Sequence, residues 1–370
     1  MLKINTILKA LTVFLMLFGL SCDPFNSIIE HKSNKDAVIY YQAKSIKEAN
    51  NNVDTLKVVT WNIKFGGGRI DFFFDCYGDR VIMTNGEVIS NMKAIIKKIK
   101  SLNPDVIFLQ EADIQSKRSA FVDQVQMILD NTDLNYGVYA SQWQADYVPS
   151  DGVGKVNSGN AVLSKYKITD AERIPLQLIG EDPGYVQYFY LRRNLLKSKI
   201  TVNNKEIILF GTHTSAYSND GTRKRQLDTI KQFIDETNTK GKTFILGGDF
   251  NTIPPNSVKY EHFDDAACDS TSDYYEHGFA GQLDYMQMFY DSYTPAISLA
   301  RYGTSISSQK NFFSFTSDKD GFWNRKLDFI FTNSTFSGNS GHVHQKGEND
   351  GIPTMPLSDH APLSVKFILK

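Results

Sequence analysis

Two short polar fragments in the second half of the chain contain the residue types that phosphoester hydrolysis requires. Gly247-Gly248-Asp249-Phe250-Asn251 follows the apolar run Phe244-Ile245-Leu246, and Ser358-Asp359-His360 lies near the C-terminus. A magnesium ion takes oxygen ligands such as carboxylates, and an imidazole beside it can move the proton of an attacking water. Because each fragment adjoins an apolar strand-like run, a sheet can hold both toward one cleft. Together they predict a metal-assisted phosphoesterase.

Further polar side chains stand beside other strand-like runs. They are Asn62 after Leu56–Val59, Glu111 after Val106–Leu109, Asn160 before Ala161–Leu163 and His213 after Glu206–Thr212. Glu111 offers a carboxylate to magnesium, and Asn62 offers a neutral oxygen to the metal or its water shell. Alone, Asn62 would more often be a turn residue and His213 a structural one, whereas Glu111 would be a surface carboxylate about as often as a metal ligand. Their occurrence together favours a site.

The ordered set of fragments resembles the endonuclease/exonuclease/phosphatase superfamily, which includes DNase I-like nucleases, inositol-polyphosphate phosphatases and neutral sphingomyelinases. The resemblance extends from about Val58 to the C-terminus. It rests on Thr60-Trp61-Asn62, Gln110-Glu111, Gly159-Asn160-Ala161, Thr212-His213, Gly248-Asp249-Phe250-Asn251, Leu327-Asp328-Phe329 and Ser358-Asp359-His360. It implies an α/β fold of the DNase I-like kind, a four-layer sandwich of two packed mixed β-sheets flanked by helices, with a site at one end of the sheets.

The resemblance also implies a metal site. Asn62 and Glu111 would hold the divalent metal, and Asp359 would complete the site. The cofactor would be Mg²⁺, with Mn²⁺ as a substitute. Such an ion polarises a phosphoryl oxygen and neutralises the charge that develops in the transition state.

Proton and phosphate roles follow from the same resemblance. His360 would be the general base that activates water, and Asp328 would orient its ring. Asp249 and Asn251 would position the nucleophile. The remaining contacts to the phosphoryl group would come from His213 with Asn251, and from Asn160. Family members are described with some of these proton roles exchanged.

A glycine-rich and aromatic segment follows Asn62 closely, so we expect it to border the cleft. It runs from Gly66 to Phe74 and contains Arg69 and the triple aromatic Phe72-Phe73-Phe74. Arg69 suits a phosphate contact. The aromatic run is consistent with an apolar substrate, a membrane or core packing, and core packing is the default for such a run.

The N-terminus has the pattern of a secretory signal. Residues 1–21 carry Lys3 and Lys9 before the apolar stretch Ala10–Leu20, which is much shorter than a membrane span requires. Cys22 then predicts a lipid-modified N-terminus, and hence a secreted, membrane-anchored bacterial lipoprotein of the cell envelope. An ordinary cleaved signal is the alternative, since Gly19 stands where such signals usually carry Leu. Residues 22–54 are polar and predict a tether, with local order around Ala37–Tyr41 as an open alternative.

Charge and cysteine content narrow the choice of partners. The formal charge is −1, and removing residues 1–21 takes away two lysines and leaves −3. A dedicated duplex binder usually shows a basic face, so this balance argues mildly against tight nucleic-acid binding. Besides Cys22, the chain has Cys76 and Cys268, which either pair or stay free. No protein partner is evident.

The body of the chain predicts one catalytic domain over residues 55–370. Strand-like runs recur at Leu56–Thr60, Val106–Leu109, Ala161–Leu163, Glu206–Thr212, Thr243–Leu246, Leu327–Phe331 and Leu363–Leu369. Helical periodicity lies between them at Val88–Ile99 and Thr222–Thr237. With 41% hydrophobic residues, the chain has ample material for one large core.

The leading functional hypothesis is a metal-dependent phosphoric ester hydrolase acting on a lipid or small-molecule phosphodiester. The predicted anchor, the acidic balance and the aromatic segment favour that substrate class. A secreted DNase I-like endonuclease is the alternative, because such relatives can also be acidic and secreted. A non-catalytic binding protein on the same scaffold is a third hypothesis, but every expected ligand and proton-transfer residue is present.

Overall fold

Two mixed β-sheets pack face to face in the computed structural model, which describes residues 35–75, 78–260, 279–316, 322–347 and 350–369. The strands in these ranges are β1 (Val38–Gln42), β2 (Thr55–Asn62), β3 (Val106–Asp113), β4 (Tyr136–Val148), β5 (Gly154–Ser164), β6 (Ile168–Pro175), β7 (Asn194–Val202), β8 (Lys205–His213), β9 (Thr243–Asp249), β10 (Thr294–Pro295), β11 (Asp328–Thr332), β12 (His342–Val343) and β13 (Leu363–Ile368). One sheet has the order β1-β4-β5-β3-β2-β13-β12, and the other β10-β11-β9-β8-β7-β6. The predicted two-sheet sandwich is confirmed.

Helices cover the outer faces of both sheets. Those in the described ranges are α1 (Asn85–Leu102), α2 (Gln124–Asn131), α3 (Gly184–Phe189), α4 (Thr222–Thr239), α5 (Phe279–Gln282), α6 (Gln287–Ser292), α7 (Leu299–Tyr302) and α8 (Ile306–Gln309). Thr84 and Glu87 form a capping box at the start of α1. Asn103, with a left-handed φ of 44°, ends that helix. The two helices predicted from periodicity correspond to α1 and α4.

Alternation along the central strands divides the core into layers. Val58 and Phe108 face the cluster between the two sheets, together with Leu209 of the opposite sheet. Trp61 faces the other way, toward a cluster that includes Ile95 of α1. Because successive side chains of a strand point to opposite faces, strands buried on both faces read as continuous apolar runs. That is the pattern from which the strands were predicted.

Strand register brings the polar residues of separate fragments to one edge. β2 and β3 pair in parallel with Asn62 opposite Gln110, and β8 and β9 pair in parallel with His213 opposite Asp249. β11 pairs with β9 in antiparallel fashion, with Asp328 opposite Asp249. The carboxyl ends of β2, β3, β8 and β9 and the start of β11 therefore meet at the same end of the sandwich.

The folded unit begins before the predicted domain start at residue 55. β1 pairs with β4 at the sheet edge, Val38 lying opposite Ala140. Part of the segment predicted as a tether is thus an edge strand. The predicted signal at residues 1–21, the lipid site Cys22 and the cysteines Cys76 and Cys268 lie outside the described residues. Among the helices of the described ranges, none is both long and apolar enough to span a bilayer.

Candidate active site

The Asp249 carboxylate is the centre of a buried polar cluster. It is 1% exposed, and its Oδ2 accepts a hydrogen bond of 3.1 Å from Asn62 Nδ2. The same oxygen lies 3.3 Å from Nε2 of His213 and 3.5 Å from Nε2 of His360. Its Oδ1 accepts a 2.9 Å bond from the backbone N–H of Asn251. Four other predicted site residues therefore converge on this carboxylate.

His360 is held by a second buried carboxylate. Its Nδ1 lies 2.9 Å from Oδ2 of Asp328, which is fully buried. The His360 carbonyl accepts a 2.8 Å bond from Trp61 Nε1, and the ring lies 4.9 Å from that of Phe315. These contacts fix the imidazole so that Nδ1 faces Asp328 and Nε2 faces Asp249.

The two carboxylates decide the protonation of His360. Burial by itself would lower the pKa of His360, but the charges of Asp328 and Asp249 outweigh it and raise the pKa to about 10. Burial also raises the pKa of Asp249 well above the usual value of an aspartate, although the charge of His360 opposes this. At neutral pH the ring of His360 therefore carries a proton, and Asp249 is the group poised to accept one.

A second group of side chains, whose oxygen atoms could bind a metal, adjoins this cluster. Asn62 Nδ2 donates a 3.0 Å bond to Oε1 of Glu111, and Lys64 N donates a 3.0 Å bond to Oδ1 of Asn62. Glu111 lies in an irregular part of β3 with a left-handed φ of 56°, which turns its side chain out of the strand alternation. Asp359 lies 3.8 Å from Lys64 Nζ.

The oxygen atoms of these side chains are suitable ligands for a hard divalent cation. Burial raises the pKa of Glu111, and the nearby charge of Asp359 raises it further. Burial by itself would raise the pKa of Asp359, but the charges of Lys64, His360 and Arg69 outweigh it and lower that pKa. A cation beside Glu111 would offset the repulsion that Asp359 exerts on the Glu111 charge. Asn62 would have to present its oxygen by turning its amide. Asp249, Asp328 and His360 also place ligand atoms within 4.8 Å of one another. Of these three, His360 and Asp328 already form a hydrogen bond with each other through Oδ2, whereas the buried Oδ1 of Asp328 has no partner in the described ranges.

His213, in contrast to His360, is neutral at neutral pH. Burial lowers the pKa of His213 well below its usual value, and the charge of Arg193 lowers it further. Gln142 links the two residues, since its Nε2 donates a 3.2 Å bond to the His213 carbonyl and its Oε1 accepts a 3.1 Å bond from Arg193 Nη1. A neutral His213 with Nε2 facing Asp249 can donate one hydrogen bond there or to a bound phosphoryl oxygen.

Arg193 is a site residue that the sequence analysis did not identify. It is 6% exposed and borders the cavity described below, and within the described ranges it forms no ion pair. Burial lowers the pKa of its guanidinium, while the charges of Glu111 and Asp249 act in the opposite direction. Sequence reasoning had only a weak signal, because Arg192-Arg193 before a strand resembles a solvated charge pair. Lys64, whose Nζ lies 3.8 Å from Asp359, was also missed, because a single lysine after a strand ordinarily faces solvent.

The other predicted contacts occupy different positions. Asn251 and Arg69 border the cavity, with Asn251 Nδ2 donating 2.9 Å to the Thr214 carbonyl and Arg69 Nη1 donating 3.3 Å to that of Thr316. Asn160 is not among the lining residues; its Nδ2 donates 3.2 Å to Oδ1 of Asn194, and its buried Oδ1 has no partner in the described ranges. The predicted contact of Asn160 with phosphate stays a prediction. Its observed hydrogen bond joins β5 to Asn194 of β7.

The polar cluster forms the floor of a cavity of about 520 Å³. His213, Asp249 and His360 border its inner end, together with Arg193 and Glu111. The outer walls are largely apolar and aromatic. They include Phe73, Phe74, Trp143, Val148, Val153, Tyr185, Val186 and Phe189. A cavity of this size and composition is typical of a site for one small ligand or ligand group.

The chain matches the profile of the Endonuclease/Exonuclease/phosphatase family over residues 59–360. An endonuclease/exonuclease/phosphatase from Beutenbergia cavernae DSM 12333 has a similar structure, with a TM-score of 0.56 and 18% identity, over 86% of this chain and 72% of that one. A family protein from Leptotrichia buccalis C-1013-b gives 0.53 and 16%, over 85% and 100%. A mannosyl-6-phosphatase from Bacteroides thetaiotaomicron VPI-5482 gives 0.50 and 14%, over 85% and 100%. No curated protein sequence matches the chain.

Proposed function

This chain belongs to the endonuclease/exonuclease/phosphatase family, and on that premise we propose that it is a divalent-metal-dependent hydrolase of a lipid or small-molecule phosphodiester. Members of the family are phosphoester hydrolases. One observation carries the narrower substrate class: the proton-transfer residues lie at the floor of a cavity with apolar and aromatic outer walls. A duplex binder would instead be expected to present a basic surface to successive phosphates.

The proton chemistry follows from the buried cluster. Asp249 takes the proton of the attacking water at its carboxylate, because burial raises its pKa. As the water oxygen bonds to phosphorus and the P–O bond to the alcohol breaks, His360, charged and held by Asp328, donates a hydrogen bond from Nε2 to the phosphoryl group. The proton that Asp249 took from the water balances the charge of the departing alkoxide. His213 donates from its own Nε2. The base role proposed for His360 from the sequence thus passes to Asp249, the exchange that the family resemblance left open.

Glu111 and Asn62, with Asp359, would hold the metal. When bound, a divalent cation such as Mg²⁺ supplies Lewis-acid stabilisation of the phosphoryl oxygens. Arg193 would bind the phosphoryl group from the opposite wall, because its buried guanidinium keeps donors available to the cavity.

We also propose that the catalytic domain is held at the bacterial cell envelope through a lipid on Cys22. The support is the sequence pattern of residues 1–22. Metabolic labelling with a radioactive or alkyne fatty acid tests it. Label in the wild-type protein that disappears in Cys22→Ser supports the anchor, and equal labelling of both proteins refutes it.

The enzymatic proposal is tested by measuring hydrolysis of sphingomyelin, phosphoinositides, DNA and simple phosphate monoesters, with magnesium and with chelator. We expect one ester class to be cleaved with magnesium, and activity to be lost on chelation or in His360→Ala. His342→Ala is the matched control, since His342 is an exposed histidine that does not border the cavity.

Each outcome selects a hypothesis. Cleavage of DNA alone would replace the proposed substrate class by the nuclease alternative. Full activity in chelator would refute the metal requirement. A biological effect that persists in His360→Ala, with no cleavage in the panel, would favour a binding protein on this scaffold.

A further inference from the structure

The outer part of the cavity is built by three segments that lie outside the family's motif fragments. They are the loop containing Phe73 and Phe74, the β4–β5 hairpin from Trp143 to Val153, and α3 with Tyr185 and Phe189. We propose that these segments form a subsite for a bulky, uncharged, apolar alcohol group of the substrate. The proposal rests on the proposed function, because the phosphate of the same ester would occupy the floor.

The three segments pack on one another as a small cluster apart from the main core. Val148 and Val153 of the hairpin are buried there, and Phe73, Trp143 and Phe189 pack against them. Trp143 Nε1 donates a 2.7 Å hydrogen bond to the Phe189 carbonyl, which ties the hairpin to α3. The hairpin and α3 are thus joined at Trp143 and Phe189 beside the cavity.

Two of the cations that line the cavity already form ion pairs with carboxylates. Arg118 forms a two-pronged ion pair with Asp113, with bonds of 2.9 Å each, and its guanidinium lies 3.7 Å above the Phe65 ring. Lys64 Nζ bonds to Asp75 at 2.8 Å. A second phosphate, as in a polyphosphorylated headgroup or a nucleic-acid backbone, would find no free positive charge from these two residues. Beside Arg118 and Lys64 the subsite therefore favours a neutral group.

The side of the subsite that α3 forms is partly exposed to solvent. No residue of α3 is buried, and Tyr185 is 73% exposed although it lines the cavity. An apolar ligand group would cover this ring and remove apolar surface from water. Since apolar burial contributes in proportion to area, longer or larger groups should bind more tightly than a methyl group.

The test measures binding of three phosphonates to the full chain with magnesium, by calorimetry. The phosphonates carry methyl, n-octyl or 1-naphthylmethyl groups, which separates a chain-like lipid source from an aromatic one. We expect at least one large group to bind roughly tenfold more tightly than methylphosphonate. Tyr185→Ala and Phe189→Ala should reduce that ratio at least threefold.

Tyr147→Ala is the matched control. Tyr147 belongs to the β4–β5 hairpin, its side chain is 62% exposed, and it does not line the cavity. Its ratio should equal that of the wild type. Equal affinity for all three phosphonates would overturn the subsite but leave the proposed function standing, since methylphosphonate would still bind. A loss of the ratio in Tyr147→Ala equal to that in Tyr185→Ala would also overturn it. Failure of every phosphonate to bind would refute both.

Discussion

Replacing Asp328 with asparagine tests the proposed charge of His360. Asp328 is fully buried, and its Oδ2 lies 2.9 Å from Nδ1 of His360. Asparagine keeps the size of the side chain and removes its charge. A hydrogen bond to a charged group contributes roughly 1.5–3 kcal/mol, and a shift of one pKa unit corresponds to about 1.4 kcal/mol. The pKa of His360 should therefore fall from about 10 to roughly 8 or 9.

Activity should show this change only at alkaline pH. With pKa values of about 10 and roughly 8.5, both proteins keep a charged His360 at pH 7. At pH 9.5 about three quarters of the wild-type rings and about a tenth of the variant rings remain charged. The ratio of wild-type to Asp328→Asn kcat/KM should thus rise about eightfold between these pH values, beyond any constant loss from ring misorientation.

Two readouts check the reasoning. The first is the pH profile of kcat/KM on the best phosphoester substrate, with Asp146→Asn as an exposed control. The second, which needs no substrate, is an NMR titration of the histidine ring nitrogens in the metal-free protein. A wild-type to variant ratio that is the same at pH 7 and 9.5, or an unchanged His360 titration, would refute the assignment of His360 as the charged donor.

Folding stability should show the same interaction. The pKa of His360 is raised in the folded protein from an ordinary value of 6.5 to about 10. A histidine whose pKa is raised on folding stabilises the folded protein fully below pH 6.5, and this contribution is lost as the pH rises through about 10. The Tm difference between wild type and Asp328→Asn should therefore shrink between pH 6 and pH 10.

Two further changes test the phosphate contact and the packing between the sheets. Arg193→Gln should raise KM about tenfold or more with a smaller change in kcat, because a buried cation at the cavity wall is lost; an equal rise in surface Arg225→Gln would contradict this. Gly247→Ala should destabilise the fold by about 1–3 kcal/mol in urea unfolding, since its Cβ would lie 2.5 Å from the Phe108 ring. Gly86→Ala, whose Cβ meets no atom within 4 Å, should be neutral or slightly stabilising, and equal effects of both glycine changes would refute the steric argument.

Local pattern was sufficient for much of the fold. Continuous apolar runs indicated β2, β3, β8 and β9, and a 3.6-residue period indicated α1 and α4, because these elements bury whole faces. The strands β4, β6 and β7 were not predicted. Their runs mix charged and apolar residues, as in Glu172-Arg173-Ile174 of β6, and Arg173 is nonetheless buried with its Nε bonded to the Ser141 carbonyl. Tertiary contacts overrode the polar appearance of that strand.

The residue types of the site were also readable from the sequence. Asn62, His213, Asp249, Asp328 and His360 could be selected because each ends or begins a strand-like run in an order that one family shares. Their chemistry is intrinsic to the side chains, so it needs no coordinates to state. Family membership and the two-sheet fold follow from that order.

Only the tertiary structure decided what each of these groups does. The charge of His360 depends on two carboxylates that lie 32 and 111 positions away in the sequence and that outweigh the opposing effect of burial. Arg193 joins the site through Gln142, and the aromatic subsite forms where three distant segments meet. Strand register and desolvation are properties of the assembled sheets, whereas sequence spacing along one segment carries no information about either.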